Sequence, residues 1–313
     1  MPSLILGVGY LGAALAARLC AGGHRVVGLE NGFATPWDSL AALTEQLGDR
    51  FQLQRGDVRD PEALERAFAV ATPVDAVYLL AAQASAHADA APPEYTEETN
   101  LRAPRLVLDA ALRHGAPPVI YGSSFRVYGA PLSGLVDERT PYGAFRDLSH
   151  LSKVYAEKLG ELYADVHGVG FAPVRLGIVY GVGPVMKRDP HFVTVPHAFA
   201  IRAVRREPLT VNLGGADPLG FIHLDDATSA LIASRSAGYA PAVAVSELHS
   251  VLDVASAIVG AATERGWECA VQAPSPMVPT PGPQVSSRLV EAGWRPTRSL
   301  VETAGELLDF YAA

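Results

Sequence analysis

The sequence predicts an α/β fold, a doubly wound parallel sheet joined to a smaller α/β region toward the C-terminus. Short apolar runs alternate with segments of helix formers: Ser3 to Leu6, Arg25 to Leu29, Phe51 to Gln54, Ala76 to Ala82, Val119 to Tyr121 and Phe171 to Leu176. Such alternation is the pattern of parallel strands buried between crossover helices. The first run breaks directly into Gly7-Val8-Gly9-Tyr10-Leu11-Gly12, a glycine-rich turn that enters a helix. With 313 residues, 49% of them hydrophobic and 19% charged, the chain can bury the core that such a sheet needs.

Taken in order, Met1 to Gly32 reads as strand, turn, helix and strand. The glycines allow a tight turn and close backbone approach to a pyrophosphate, and the helix start at Ala13 offers free N–H groups to it. The second strand ends at Glu30, 18 residues past Gly12, close to the roughly 20 expected for an acid that accepts from the adenosine ribose. Glu30 would repel a 2'-phosphate, and the neighbouring Asn31 and Gly32 bring no cation, so NAD is expected rather than NADP. The third strand ends at Gly56-Asp57, and a helix follows from Pro61, a residue tolerated in a first turn. The fourth ends in small residues suited to lining a cofactor. A helix over Tyr95 to Arg113 carries Asn100, which reads equally as a buried amide satisfying loop carbonyls and as a cofactor contact.

The chemistry is expected between Tyr121 and Lys153. The fifth strand breaks at Gly122-Ser123-Ser124, putting hydroxyls at a strand's C-terminal end, where open α/β sheets bind ligands. After a loop with glycine and proline, Ser149-His150-Leu151-Ser152-Lys153-Val154-Tyr155-Ala156-Glu157 predicts a helix with a lysine one turn in. Ser124 and Lys153 can then meet over one substrate.

The order and spacing of these residues resemble the NAD-dependent epimerase/dehydratase family, the extended branch of the short-chain dehydrogenases and reductases. The resemblance rests on the glycine turn, Glu30-Asn31, Gly56 to Asp60, Leu80-Ala81-Ala82, Asn100, Ser123 to Gly129 and Ser152-Lys153 with Glu157. It continues in Val174 to Leu176, Val179 to Gly181, Phe221 to Ala227 and Gly293 to Pro296, so it covers nearly the whole chain. It implies a Rossmann NAD-binding domain over 1–176, with later segments at about 208–236 interleaved, and a mostly substrate-binding region over 177–313. It also implies cofactor contacts from Gly7, Gly9, Tyr10, Leu11, Gly12, Glu30, Asn31, Asp57, Val58, Leu80, Ala81, Ala82, Asn100, Ser123 and Lys153. Ser124 matches the family's substrate-binding serine. Many family members act on nucleotide sugars and are often dimers through the helices near Asn100 and Lys153. The reading is therefore a sugar-modifying enzyme using NAD by hydride transfer, on a free or nucleotide-linked sugar, and a homodimer.

The departures are as informative. One residue separates Gly7 from Gly9, where the family usually has two. In the family's Tyr-x-x-x-Lys pair the lysine holds the nicotinamide ribose and lowers the tyrosine pKa. Counting back from Lys153 finds Ser149 in the tyrosine slot, and a serine hydroxyl is shorter and far less acidic than a phenol. Three groups remain to move the proton: Tyr142 swung in from the loop, His150, or a water at Ser149. His150 lies one residue past the slot, about 100° round the helix, and Tyr142 is the expected donor. The family's sugar-diphosphate asparagine and arginine are Ile178 and Leu219 here. Arg126 is a candidate clamp for a substrate carboxylate or phosphate, and Lys187, Arg188 and His191 bring cations to a loop expected at the cofactor's reactive end. Two alternatives stay open: a non-catalytic NAD-binding or regulatory module that lost its tyrosine, and an isomerase or lyase with structural NAD.

The rest of the chain mainly excludes. With 33 acidic and 25 basic residues, a net charge of -8 and no long basic run, it lacks the footprint of a nucleic-acid binder. No apolar run has transmembrane length and no signal peptide is apparent, so the reading is cytoplasmic, without membrane contact. Cys20 and Cys269 read as two buried thiols rather than a disulfide or metal site, and no metal is expected. Strands or helices are expected over 209–213, 225–234, 251–265 and 300–311, and an irregular crossing over the five prolines of 273–283.

Overall fold

A computed structural model describes residues 1–85, 89–145, 147–212, 215–235, 238–274, 278 and 280–313. Five strands and their crossover helices open the chain: β1 Ser3–Leu6, α1 Tyr10–Ala21, β2 Val26–Glu30, α2 Trp37–Leu47, β3 Phe51–Arg55, α3 Pro61–Ala71, β4 Ala76–Leu79, α4 Pro93–Glu97, α5 Ala103–Arg113 and β5 Val119–Ser124. Then come β6 Leu135–Val136, α6 Leu148–His167, β7 Phe171–Leu176, β8 Ile178–Tyr180, α7 Val195–Val204, β9 Leu209–Thr210, β10 Leu219–His223 and α8 Leu224–Ala233. The chain closes with β11 Ala242–Ala244, β12 Glu247–His249, α9 Val251–Glu264, β13 Val271–Gln272, β14 Gln284–Val285, α10 Arg288–Glu291 and α11 Leu300–Ala312.

Seven strands form one parallel sheet in the order β11-β7-β5-β4-β1-β2-β3. The order reverses between β1 and β4, which opens a crevice at their C-terminal ends. Strand β1 explains why the runs are continuously apolar. Ile5 points into the cluster of Ala13, Leu15, Leu40 and Leu231, while Leu4 and Leu6 point into that of Leu64, Phe68, Val107 and Leu108, so both faces are covered. A third cluster, with Tyr180, Phe221, Phe199, Ile258 and Leu307, packs α7, α9 and α11 against the small sheet β12-β10-β8.

The structure corrects several expectations. Phe171–Leu176 is not the sheet's last strand, because β11 pairs alongside it. Within 208–236, β10 belongs to the small sheet, whereas α8 packs on α1 of the large one. The strand expected over 209–213 stops at Thr210, and Leu213 lies outside the described residues, as do residues 275–277 and 279 of the proline segment. The helix expected from Tyr95 to Arg113 passes through a π turn, Glu98–Arg102, before α5. Pro104 lacks the N–H that a regular α turn would require there. Cys20 is buried, but Cys269 is partly exposed. Among the described residues, no helix is long and apolar enough to cross a membrane.

Candidate active site

The crevice between β1 and β4 is a cavity of about 310 Å³. Its floor is the glycine turn. Gly7 has φ +97°, and a Cβ there would lie 2.5 Å from the Ala81 nitrogen; a Cβ at Gly12 would lie 2.0 Å from the Gly7 carbonyl oxygen. These contacts leave room only for glycine. No side chain caps the start of α1 at Gly9, so its N–H groups face the cavity as an anion site. Glu30 closes one end. Its carboxylate accepts from the backbone N–H of Val8 at 2.8 Å, Asn31 at 3.1 Å and Gly32 at 2.9 Å. Burial pushes its pKa up, and the same hydrogen bonds oppose that rise.

The cavity is lined by Gly7, Gly9, Tyr10, Leu11, Gly12, Glu30, Asn31, Val58, Leu80, Ala81, Ala82, Ser123 and Lys153 of the expected cofactor set. Asp57 and Asn100 are not among the lining residues. Asp57 accepts from Arg59 Nε at 2.9 Å and Nη2 at 2.7 Å, and from Asn31. Arg59, 4.3 Å from the ring centroid of the lining residue Tyr95, is thereby already paired. Asn100 is a clamp: Oδ1 accepts the Gln83 N–H, while Nδ2 donates to the Gln83 carbonyl at 2.8 Å and to Ser152 Oγ at 3.1 Å. Of its two readings, the buried amide is the one that the structure supports.

The far end holds Ser123, Ser124, Ser149, His150 and Lys153. Asp147, not Ser149, caps α6, accepting the His150 N–H. Lys153 is buried, donates to the Gly122 carbonyl at 2.7 Å and lies 4.8 Å from the Tyr121 ring centroid. Burial pushes its ammonium down to about 8, with Glu157 pulling the other way. Ser123 donates to Glu157 Oε1 at 2.5 Å, and Arg175 Nη2 meets Glu157 Oε2 at 2.7 Å, so a buried ion pair backs the strand end. Ser124 Oγ accepts the Arg126 N–H at 3.2 Å and, among the described residues, has no acceptor for its own hydrogen, which is left for a ligand.

Tyr142 does not reach this end. Its hydroxyl donates to Glu157 Oε2 at 3.0 Å within the Arg175 network, it lines neither this cavity nor its neighbour, and burial raises its pKa further. The expectation that it donates the catalytic proton is therefore corrected. Among the loop cations, Lys187 lines the cavity, its Nζ 5.4 Å from the Tyr10 ring centroid, and burial pushes its pKa down to about 8. Arg188 instead pairs with Asp38 at the surface, and the His191 ring turns back onto Asp189 within its own 3-10 turn.

A second cavity, of about 320 Å³, joins the first through Ala84, Ser124, His150, Leu176 and Gly177. Ile178, Leu219, Phe125, Leu132 and Val195 make it largely apolar, with Arg126, Asp217, Thr194 and Thr280 as polar points. The sequence reading missed Phe33, Thr35 and Tyr95 at the adenosine end; Phe33 stacks on Tyr95 at 4.2 Å. It also missed Asp147, which the spacing Asp-x-x-His at a helix start signals.

A profile of the NAD dependent epimerase/dehydratase family matches residues 3–241. Similar proteins include UDP-glucuronic acid decarboxylase 1 of Arabidopsis thaliana, 30% identical over 72% of this chain but only 50% of its own length. UDP-glucose 4-epimerase of Mycolicibacterium smegmatis is 25% identical over 99% of this chain and 98% of its own. Among solved structures, UDP-glucose 4-epimerase of Thermus thermophilus in complex with NAD superposes with a TM-score of 0.81, at 25% identity, over 99% of both chains.

Proposed function

The chain belongs to the NAD-dependent epimerase/dehydratase family, and from that premise we propose that it is an NAD-using enzyme that modifies a sugar by hydride transfer at a hydroxyl-bearing carbon. One observation carries the reading: the cavity with the dinucleotide features ends at Ser124, Ser149, His150 and Lys153, where it opens into a second cavity. The residues fit the cofactor. The glycine turn and the start of α1 take the diphosphate, Glu30 takes the adenosine ribose, and Lys153 takes the nicotinamide ribose. Bound NAD supplies the hydride acceptor and donor. Lys187, half-buried and without a carboxylate partner among the described residues, adds a charge for the diphosphate beside Tyr10. Ser124 holds the reacting oxygen.

The second cavity bears on the substrate. Arg126 is the sole Lys or Arg among its described lining residues, Asp217 faces it, and Ile178 and Leu219 supply no phosphate contact. This lining favours a sugar with at most one anionic group over a sugar diphosphate. A homodimer is supported by α6, where Leu151, Tyr155, Leu162 and Val166 are 51%, 45%, 54% and 63% exposed along one stripe.

The test measures NAD binding by calorimetry and then follows the redox state of the bound cofactor by absorbance. The probes are free sugars, sugar acids, UDP-glucose, UDP-glucuronic acid and dTDP-glucose. Reduction or turnover by one of them is the expected result. NAD binding with no response to any probe would favour the binding-module alternative, and absence of NAD binding would overturn the reading.

A further inference from the structure

We propose that His150, oriented by Asp147, is the acid/base that exchanges the substrate hydroxyl proton, the task left open by Ser149 in the tyrosine slot. The inference rests on the hydride-transfer reading above and adds the residue that makes it workable.

Three features carry it. The first is position. His150 lines both cavities and stands at their junction with Ser124, where the reacting carbon must lie. On a helix of about 100° per residue, Ser149 falls about 40° to one side of Lys153 and His150 about 60° to the other. Both are therefore its neighbours on one face, and the offset of His150 from the slot does not take it away from the site.

The second is orientation. Nδ1 lies 2.7 Å and 2.8 Å from the two carboxylate oxygens of Asp147, whose Oδ1 also accepts the His150 N–H at 2.9 Å. A carboxylate accepts only, so the Nδ1 hydrogen points to Asp147 and the Nε2 lone pair is left for a ligand. No described protein group bonds Nε2. The third feature is the lack of a rival, since the Tyr142 hydroxyl is held by Glu157 and a serine hydroxyl is a poor acid at neutral pH.

In the oxidising direction the substrate O–H bond breaks and its proton passes to Nε2. Bound NAD would accept the hydride from the same carbon, so that the substrate loses one proton and one hydride and becomes a carbonyl. The protonated imidazole is then stabilised by Asp147, and the reverse step returns both. Asp147 is a positioning residue. Among the described residues, the other charged groups lining the two cavities are Lys153 on the same helix, Arg126, Lys187, Asp189 and Asp217, with Glu30 at the adenosine end.

The experiment compares NAD-loaded wild type with His150→Gln and Asp147→Asn, the latter keeping a helix-capping side chain. Nitrogen-15 NMR of the imidazoles reads the tautomer, and turnover of UDP-glucose and free glucose is followed against pH. The wild-type ring should carry its hydrogen on Nδ1, and Asp147→Asn should shift that tautomer. His150→Gln should lower kcat by about 10²- to 10⁴-fold with NAD affinity and circular dichroism unchanged. A wild-type ring protonated on Nε2 alone, or a His150→Gln enzyme with wild-type kcat, would overturn the proposal. If neither probe is turned over, the tautomer decides. Loss of NAD binding by the wild type would instead strike the hydride-transfer reading.

Discussion

Replacing Lys153 by methionine should make the protein more stable at neutral pH while abolishing its activity. The lysine is buried and its pKa is down at about 8 from an ordinary 10.5. A shift of that size means that the fold works against the charged form by about 3 kcal/mol. Methionine removes that penalty but forfeits the hydrogen bond to the Gly122 carbonyl, worth about 1 kcal/mol. The net gain at pH 7 is then about 2 kcal/mol. The sign with pH follows from linkage. Between about 8 and 10.5 the unfolded chain holds a proton that the native lysine has lost, so wild-type stability rises with pH through that window. The advantage of the variant should therefore be full below pH 8 and nearly gone by about pH 9.5. Urea unfolding of both proteins without cofactor, at a series of pH values, measures the difference and cancels the contribution of the buried tyrosines. A difference that stays constant from pH 7 to about 9.5 would refute the buried-cation argument.

Three further outcomes are expected. Lys187→Met should weaken NAD binding by about ten- to a hundredfold, the worth of one charge-assisted contact. Calorimetry should also find wild-type affinity falling as the pH passes above about 8, where the free ammonium loses its proton. Arg175→Met leaves Glu157, with a side chain 0% exposed, without its cation, and should cost about 3–5 kcal/mol in denaturant unfolding. Leu162→Asp with Val166→Asp should halve the mass seen by sedimentation velocity; an unchanged mass would mean that α6 is not the dimer face.

The large sheet was legible because its signals are local. Each strand is an apolar run, each crossover a helix pattern, and the Gly7, Gly12 and Glu30 spacing marks the cofactor cleft by backbone geometry alone. Strand β11 was not legible, since Ala242–Ala244 is too short to stand out and is fixed by pairing with Val174 to Leu176. The site divides in the same way. Lys153 and Ser124 follow from a strand end and a helix turn. The failure at Tyr142 is a failure of long-range information: no sequence spacing says that its hydroxyl meets Glu157 rather than the cavity. For His150, the angular distance from the vacant slot is no guide to its place in the site, because Lys153 is the group that marks the site.

The Asn100 clamp has a consequence for how this site can change over time. It joins the loop after β4 to α6 at Ser152, and the Asp147 cap fixes the start of the same helix. The register of α6 is therefore set by residues 100, 147 and 152, none of which is the slot residue. Ser149 contributes its backbone carbonyl, which accepts the Ser152 hydroxyl and which any residue would provide. The Ser149 side chain, though buried, makes no hydrogen bond among the described residues, so the contacts that pin α6 and Lys153 do not pass through it. A lineage can lose a tyrosine there and recruit a neighbour for its work while the scaffold that aligns cofactor and substrate remains intact.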